Sequence, residues 1–178
     1  MPLIRPSLDT DLSAITAIYA HHVTHGRGSF ELTPPDTAEM ARRRQDVLDK
    51  GWPFLVAEEN GQVQAYAYAN HFRPRPAYRF SVENSVYVTP DLPRKGLGRA
   101  LMAELMRLCE LAGARQMIAV IGDSANHGSI GLHTSLGFQP VGVFKSSGWK
   151  HDRWLDTVLM QRSLGLGDQQ APISTASD

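Results

Sequence analysis

The chain is 178 residues long and carries 18 Lys plus Arg against 18 Asp plus Glu, a formal net charge of zero, with one cysteine. That length suits one globular domain with a substantial core. Balanced charge argues against a general nucleic-acid binder, and the lone Cys109 excludes an intramolecular disulfide framework and a cysteine metal site.

The stretch from Met1 to Pro6 lacks the apolar core of a signal peptide, and no apolar run approaches the roughly 18 residues of a membrane span, so a soluble cytoplasmic protein is expected. A short strand near Leu3 to Arg5 precedes a helix that Asp9 or Thr10 can cap, with Leu12, Ile15, Ile18, Tyr19 and Val23 at helical spacing. A polar loop with Gly26 and Gly28 ends it. Pro34-Pro35-Asp36-Thr37 starts a second helix with Met40, Val47 and Leu48 inward and Gly51 stopping it; its Arg42-Arg43-Arg44 run reads as a solvated face. Strands at Phe54 to Glu58 and Gln62 to Ala69 meet at Asn60-Gly61, a strong hairpin signal.

A third strand covers residues 79 to 89, and a helix from about Leu97 to Ala112 follows with Leu97, Leu101, Leu105, Leu108 and Leu111 or Ala112 inward and Gly113 at its end. Met117 to Ile121 is continuous and apolar, as a strand covered on both faces should be. A short helix from about Asn126 closes near Leu136 and Gly137, and strands at Gln139 to Lys145 and Arg153 to Gln161 flank a turn containing Gly148. Hairpin-linked strands followed by strands alternating with helices predict an α/β (α+β) fold, a mixed central sheet with helices on its faces. From Gly165 onward little remains to bury, so residues 1–164 are expected to form the domain and 165–178 a disordered tail.

The most informative stretch runs from Val82-Glu83-Asn84-Ser85-Val86-Tyr87-Val88 through Arg94-Lys95 into Gly96-Leu97-Gly98-Arg99. It reads as a strand containing a carboxylate, a glycine-bearing loop and a helix start. A helix start offers unpaired N–H groups and partial positive charge, and glycine lets a phosphate approach them. A P-loop is excluded, and position 101 is Leu where a Gly-x-Gly-x-x-Gly fingerprint needs its last glycine. By itself the turn equally suits a connection that uses glycine only for shape.

Further pieces in order are Phe72-Arg73-Pro74-Arg75-Pro76-Ala77-Tyr78-Arg79, Leu132-His133-Thr134-Ser135-Leu136-Gly137-Phe138, and Gly148-Trp149-Lys150 with Arg153-Trp154-Leu155-Asp156. With these the chain resembles GNAT-type N-acetyltransferases, and among them the phosphinothricin and methionine sulfoximine acetyltransferase family, up to about Leu164. The resemblance implies the GNAT acyltransferase fold, a mostly antiparallel central sheet with helices on both faces. It implies acetyl-coenzyme A as acetyl donor without a metal, a small-molecule amine as acceptor, a homodimer, and no nucleic-acid or membrane partner. It places Val86, Tyr87 and Val88 along the acetyl and pantetheine portions, Arg94, Lys95, Gly96, Leu97, Gly98 and Arg99 at the pyrophosphate, and Asn126 and Ser135 as further cofactor contacts. One departure stands out: Pro93 occupies a position where the superfamily has Arg or Gln, and proline brings neither a side-chain donor nor an N–H, leaving Arg94 or the remaining amides to compensate.

Acetyl transfer to an amine needs a proton acceptor and an N–H near the thioester carbonyl. Glu83 is the expected base, because a carboxylate inside a strand-like run is poorly suited to a buried sheet unless paired or used; the alternative is an outward-facing strand Glu. His133 has the right reference pKa to protonate a departing thiolate, and it equally suits a helix-face histidine held by a structural hydrogen bond. Arg73, Pro74 and Arg75 are expected to clamp a carboxylate or phosphinate-like group, with Phe30, Glu31 and Tyr78 closing the acceptor site by resemblance. The expected activity is acetylation of the α-amine of methionine sulfone, methionine sulfoximine or phosphinothricin; the alternatives are another small amine or a protein N-terminus, and a coenzyme A binding module without catalysis.

Overall fold

A computed structural model describes residues 2–90 and 96–172. A seven-stranded sheet in the order β1-β2-β3-β4-β5-β7-β6 is built from β1 (Leu3–Pro6), β2 (Phe54–Glu59), β3 (Gln62–His71), β4 (Ser81–Val88), β5 (Gln116–Gly122), β6 (Gln139–Lys150) and β7 (Arg153–Ser163). All neighbours are antiparallel except β4 and β5. The helices are α1 (Leu12–His25), α2 (Thr37–Asp49), α3 (Leu97–Leu111) and α4 (His127–Ser135).

Local chemistry explains most boundaries. Asp36 caps α2, its carboxylate accepting from the Glu39 amide at 2.8 Å, a contact worth about 1 kcal/mol. Asn60 and Gly61 both have positive φ, 54° and 75°, as the two-residue turn joining β2 to β3 requires. Along α3, Leu97, Leu101, Met102, Leu105, Met106 and Cys109 form one buried stripe, whereas Leu111 is exposed.

Alternation along β4 sorts the molecule into two layers. Glu83, Ser85 and Tyr87 face one side, where Tyr87 meets Tyr19 of α1 at 5.0 Å between ring centroids. Asn84, Val86 and Val88 face the other, where Asn84 reaches Met102 of α3 and His133 of α4. Helices α1 and α2 therefore lie on one face and α3 and α4 on the opposite one. The β4–β5 register runs from Ser81↔Gln116 to Asn84↔Ala119 and stops there, so the two strands separate over Ser85–Val88 and Val120–Gly122.

Several local expectations need correction. Neither Asp9 nor Thr10 caps α1: a 3-10 turn at Asp9–Asp11 comes first, and the Asp11 carboxylate accepts from the Leu8 amide at 2.7 Å. The Arg42–Arg44 run is not a uniformly solvated face, since Arg44 is buried and donates to the Ser7 hydroxyl and carbonyl, at 2.7 and 2.6 Å, and to Asp9 at 2.8 Å. Strand β5 is not covered on both faces; Val120 is 38% exposed because β4 has parted from it at that level. Gly148 lies within β6, and the turn before β7 is made by His151 and Asp152, with φ of 51° and 54°. Beyond Leu164, residues through Pro172 are described: Gly167 donates to the Leu164 carbonyl at 2.9 Å, and Arg115 donates to the Ala171 carbonyl at 3.1 Å.

Candidate active site

Where β4 and β5 part, a cavity of about 640 Å3 opens. His22, Gly26, Arg27 and Gly28 border it from the α1 side of the sheet, and Ser129, Leu132 and His133 from the α4 side, with Ser85–Val88 and Ala119–Gly122 between them. The cavity thus passes through the sheet. Two ligands can approach it from opposite faces, and the edge of β4 that faces away from β3 offers backbone groups to whatever fills it.

The α3–α4 side carries the residues expected to hold a phosphorylated cofactor. Gly96, at φ 75°, immediately precedes α3, whose first amides have no partner within the helix. A Cβ on Gly98 would lie 3.4 Å from Leu132 and 3.8 Å from Val88, so this helix start lies close against the cavity wall. Arg99 is exposed on the first turn of α3. Asn126 caps α4 by accepting from the Ser129 amide at 3.2 Å, while its Nδ2 points to the Gly122 carbonyl at 3.4 Å. Ser135 is exposed at the far end of α4, bonded back to the Leu132 carbonyl, and does not border the cavity. Arg94 and Lys95, expected at the pyrophosphate, and Pro93 fall outside the described residues.

His133 is buried, with both ring nitrogens engaged: Nδ1 lies 2.8 Å from the Ser129 carbonyl and Nε2 lies 2.9 Å from Asn84 Nδ2. Donation from Nδ1 to the carbonyl and acceptance at Nε2 from the amide describe a neutral ring. Burial lowers its pKa against the weaker pull of that carbonyl. The same arrangement leaves the buried Asn84 Oδ1 without a partner among the described residues.

On the opposite face stands Glu83, half-buried, with no hydrogen bond or ion pair among the described residues; burial alone pushes its carboxyl above the usual range. Its cross-strand neighbour is Asn70. Asn70 lines a second cavity, of about 480 Å3, together with Lys50, His71, Arg73, Pro74, Arg75 and Arg79. The two expected substrate arginines therefore sit in a cationic recess beside Glu83 and outside the through-sheet cavity. Tyr78 packs edge-on against Phe72 at 5.9 Å, and the Arg73 guanidinium lies over the same Phe72 ring.

Phe30 and Glu31 lie on the segment between α1 and α2. Glu31 accepts from Tyr19 at 2.7 Å and from Arg43 at 2.5 and 3.2 Å. Burial raises its pKa, and the bonds from Arg43 and Tyr19 outweigh that, so it is held below the usual range. Arg43, part of the run read as a solvated face, is thus tied to the segment between α1 and α2. His22 and Asn84 border the through-sheet cavity and Tyr19 bonds to Glu31, and the sequence marks none of the three as a site residue. His22 donates to the Val88 carbonyl at 2.8 Å, tying α1 to the end of β4. The available signal was the strand alternation that sets Asn84 opposite Glu83; nothing local marked the others.

A through-sheet cavity beside a helix start, with a half-buried carboxylate on the opposite face, defines an acyltransferase of the GNAT type, and the family comparison agrees: the acetyltransferase (GNAT) domain matches residues 4–159. The chain belongs to this family. It is 54% identical over 169 residues to a phosphinothricin N-acetyltransferase of Alcaligenes faecalis, covering 95% of this chain and 86% of that one. It is 39% identical over 169 residues to an L-methionine sulfoximine/L-methionine sulfone acetyltransferase of Salmonella typhimurium, covering 95% of this chain and 97% of that one. The crystal structure of a phosphinothricin acetyltransferase from Sinorhizobium meliloti in complex with AcCoA superposes with a TM-score of 0.94 at 47% identity, over 98% of this chain and 94% of that one.

Proposed function

We propose that this acetyltransferase moves an acetyl group from acetyl-coenzyme A to the α-amine of a small amino acid analogue with a tetrahedral polar head, of the methionine sulfone, methionine sulfoximine or phosphinothricin kind. The observation that carries this reading is Glu83, half-buried and without a partner among the described residues, between the through-sheet cavity and the recess of Arg73 and Arg75. The names and the AcCoA complex of the similar proteins support the choice of ligands.

The residues present fit the cofactor. The exposed β4 edge at Val86–Val88 suits the amides of a pantetheine arm, and the α3 start at Gly96–Gly98 suits a pyrophosphate. Asn126 borders the cavity on that path, with Arg99, Ser135, Arg94 and Lys95 assigned to its outer part by family resemblance. When bound, acetyl-coenzyme A supplies an acetyl group activated as a thioester. Arg73 and Arg75 hold the acceptor's anionic groups, with Pro74 stiffening the turn between them. Phe30, Glu31 and Tyr78 shape its enclosure. Glu83 takes a proton from the ammonium, directly or through water, freeing the lone pair of nitrogen. We assign His133 to positioning, because a neutral ring engaged at both nitrogens orients Asn84 at the cavity wall; a proton to the departing thiolate would require that contact to open.

The deciding experiment follows thiol release from acetyl-coenzyme A across amino acid sulfones, sulfoximines and phosphinates, with polyamines and peptides alongside. Release with the first three alone supports the reading, and preference for peptides or polyamines replaces the acceptor. No release anywhere, despite thermal stabilisation by coenzyme A, makes the protein a binding module.

We also propose a homodimer working in the cytoplasm. Edge strand β6 is exposed along most of its 12 residues, including Val141, Val143, Phe144 and Trp149, and Trp149 packs on the exposed Trp154 of β7, so this edge is what a second copy would cover.

A further inference from the structure

The segment from Gly26 to Glu31 forms a strap along the acceptor side of the through-sheet cavity, and its fastenings come from distant parts of the chain. Lys150, at the end of β6, is 4% exposed and donates from Nζ to the Ser29 carbonyl at 2.7 Å. Among the described residues this is its only side-chain hydrogen bond, and no carboxylate lies within ion-pair distance, Glu31 acting on it only at longer range. A buried ammonium costs free energy unless something uses it.

The Phe30 ring beside it occupies a slot made by two glycines. A Cβ on Gly148 would lie 2.5 Å from Phe30 Cε2, and one on Gly122 would lie 2.9 Å from Phe30 Cε1 and 2.5 Å from the Arg27 carbonyl. Gly122 also borders the cavity, and in β5 it lies on the same face as Ile118, the strand neighbour of Glu83. The strap is fixed further by Arg27 to Asp123 at 3.0 Å, by His151 to the Gly26 carbonyl at 3.2 Å, and by Tyr19 to Ser29 Oγ at 3.0 Å. Lys150 is the buried member of this set on the sheet side.

We propose that Lys150, with the Gly122 and Gly148 slot, is a positioning device for the acceptor site: it fixes the strap so that Phe30 and Glu31 stand at the correct distance from Glu83, without touching either ligand. The acceptor arm of this inference rests on the acetyltransferase reading above. The strap's anchoring can be measured independently, because Arg27-Gly28 is a trypsin site whose arginine is 46% exposed and held by the strap's geometry.

The test uses the full chain with Lys150→Met. The expected result is a rise of about tenfold in KM for the best acceptor, kcat within about threefold, little change in KM for acetyl-coenzyme A, and faster tryptic cleavage after Arg27. Wild-type acceptor KM or a wild-type cleavage rate in that variant overturns the proposal. If Lys150→Met shows no cooperative melting transition, Gly148→Ala replaces it. Its methyl group should raise acceptor KM when Phe30 is present and have little effect in a Phe30→Ala background; additive losses overturn the proposal. If the wild-type protein acetylates none of the panel, the functional reading fails and the cleavage rate alone decides the anchoring.

Discussion

Glu83 and His133 are both shielded from water, and burial acts on them in opposite directions: the carboxyl is pushed up and the imidazole down, so each favours its neutral form. For Glu83 as base, the rate should climb with pH as its raised pKa is passed. Glu83→Gln is expected to remove that limb and lower turnover about 10² to 10⁴ fold, read from kcat/KM across pH. The same substitution should raise the melting temperature at pH 7. The folded chain holds the Glu83 proton to a higher pH than the unfolded chain does, so stability falls from the ordinary carboxylate range up to the folded pKa, and a neutral Gln escapes that loss. His133→Gln should lower turnover by less than about tenfold and leave the pH profile unshifted; a lost basic limb would instead give His133 the proton-donor role.

At the scale of elements, the sequence carried most of the fold. Helix α2 starts at Thr37, within the Pro34-Pro35-Asp36-Thr37 stretch expected to start it, and Asn60-Gly61 forms the hairpin turn that its composition demands. Gly61→Ala is expected to cost about 1 kcal/mol in denaturant unfolding, since φ 75° strains any residue with a Cβ. Less legible was the second helix, whose three consecutive arginines share one local pattern and yet have three separate surroundings. Arg42 pairs with Glu39 at the surface, Arg43 reaches Glu31 on the segment between α1 and α2, and Arg44 is buried against Ser7. Arg44→Met should destabilise by about 2 kcal/mol, because the Ser7 groups lose a charged donor inside the fold. No feature of the run itself separates these positions; the strands and loops they meet come from other parts of the chain.

Across the whole molecule, three histidines held below their ordinary pKa set an acid limb of stability. His22, His71 and His133 are all lowered chiefly by burial. As pH falls through about 6.5 the unfolded chain takes up protons that the folded chain refuses, so melting temperature should drop from there down to the folded pKa values; His133→Gln should shallow that slope. For the proposed dimer, Trp149→Glu with Trp154→Glu is expected to shift sedimentation from two copies to one while a cooperative melt is kept. A wild-type monomer by sedimentation would remove that assembly.

The sequence by itself determined most of the elements and the family, because capping, turn geometry and alternation act over a few positions, and several motifs in a fixed order specify more than any one of them. Only the tertiary structure decided how the residues are shared out. It put Arg73 and Arg75 in a recess separate from the through-sheet cavity, brought Asn84 against Met102 and His133 of two different helices, and carried Lys150 to Ser29 across 121 positions of chain. The cavity exists because β4 and β5 pair for four residues and then part, and its walls come from segments distant in sequence, which no local pattern brings together.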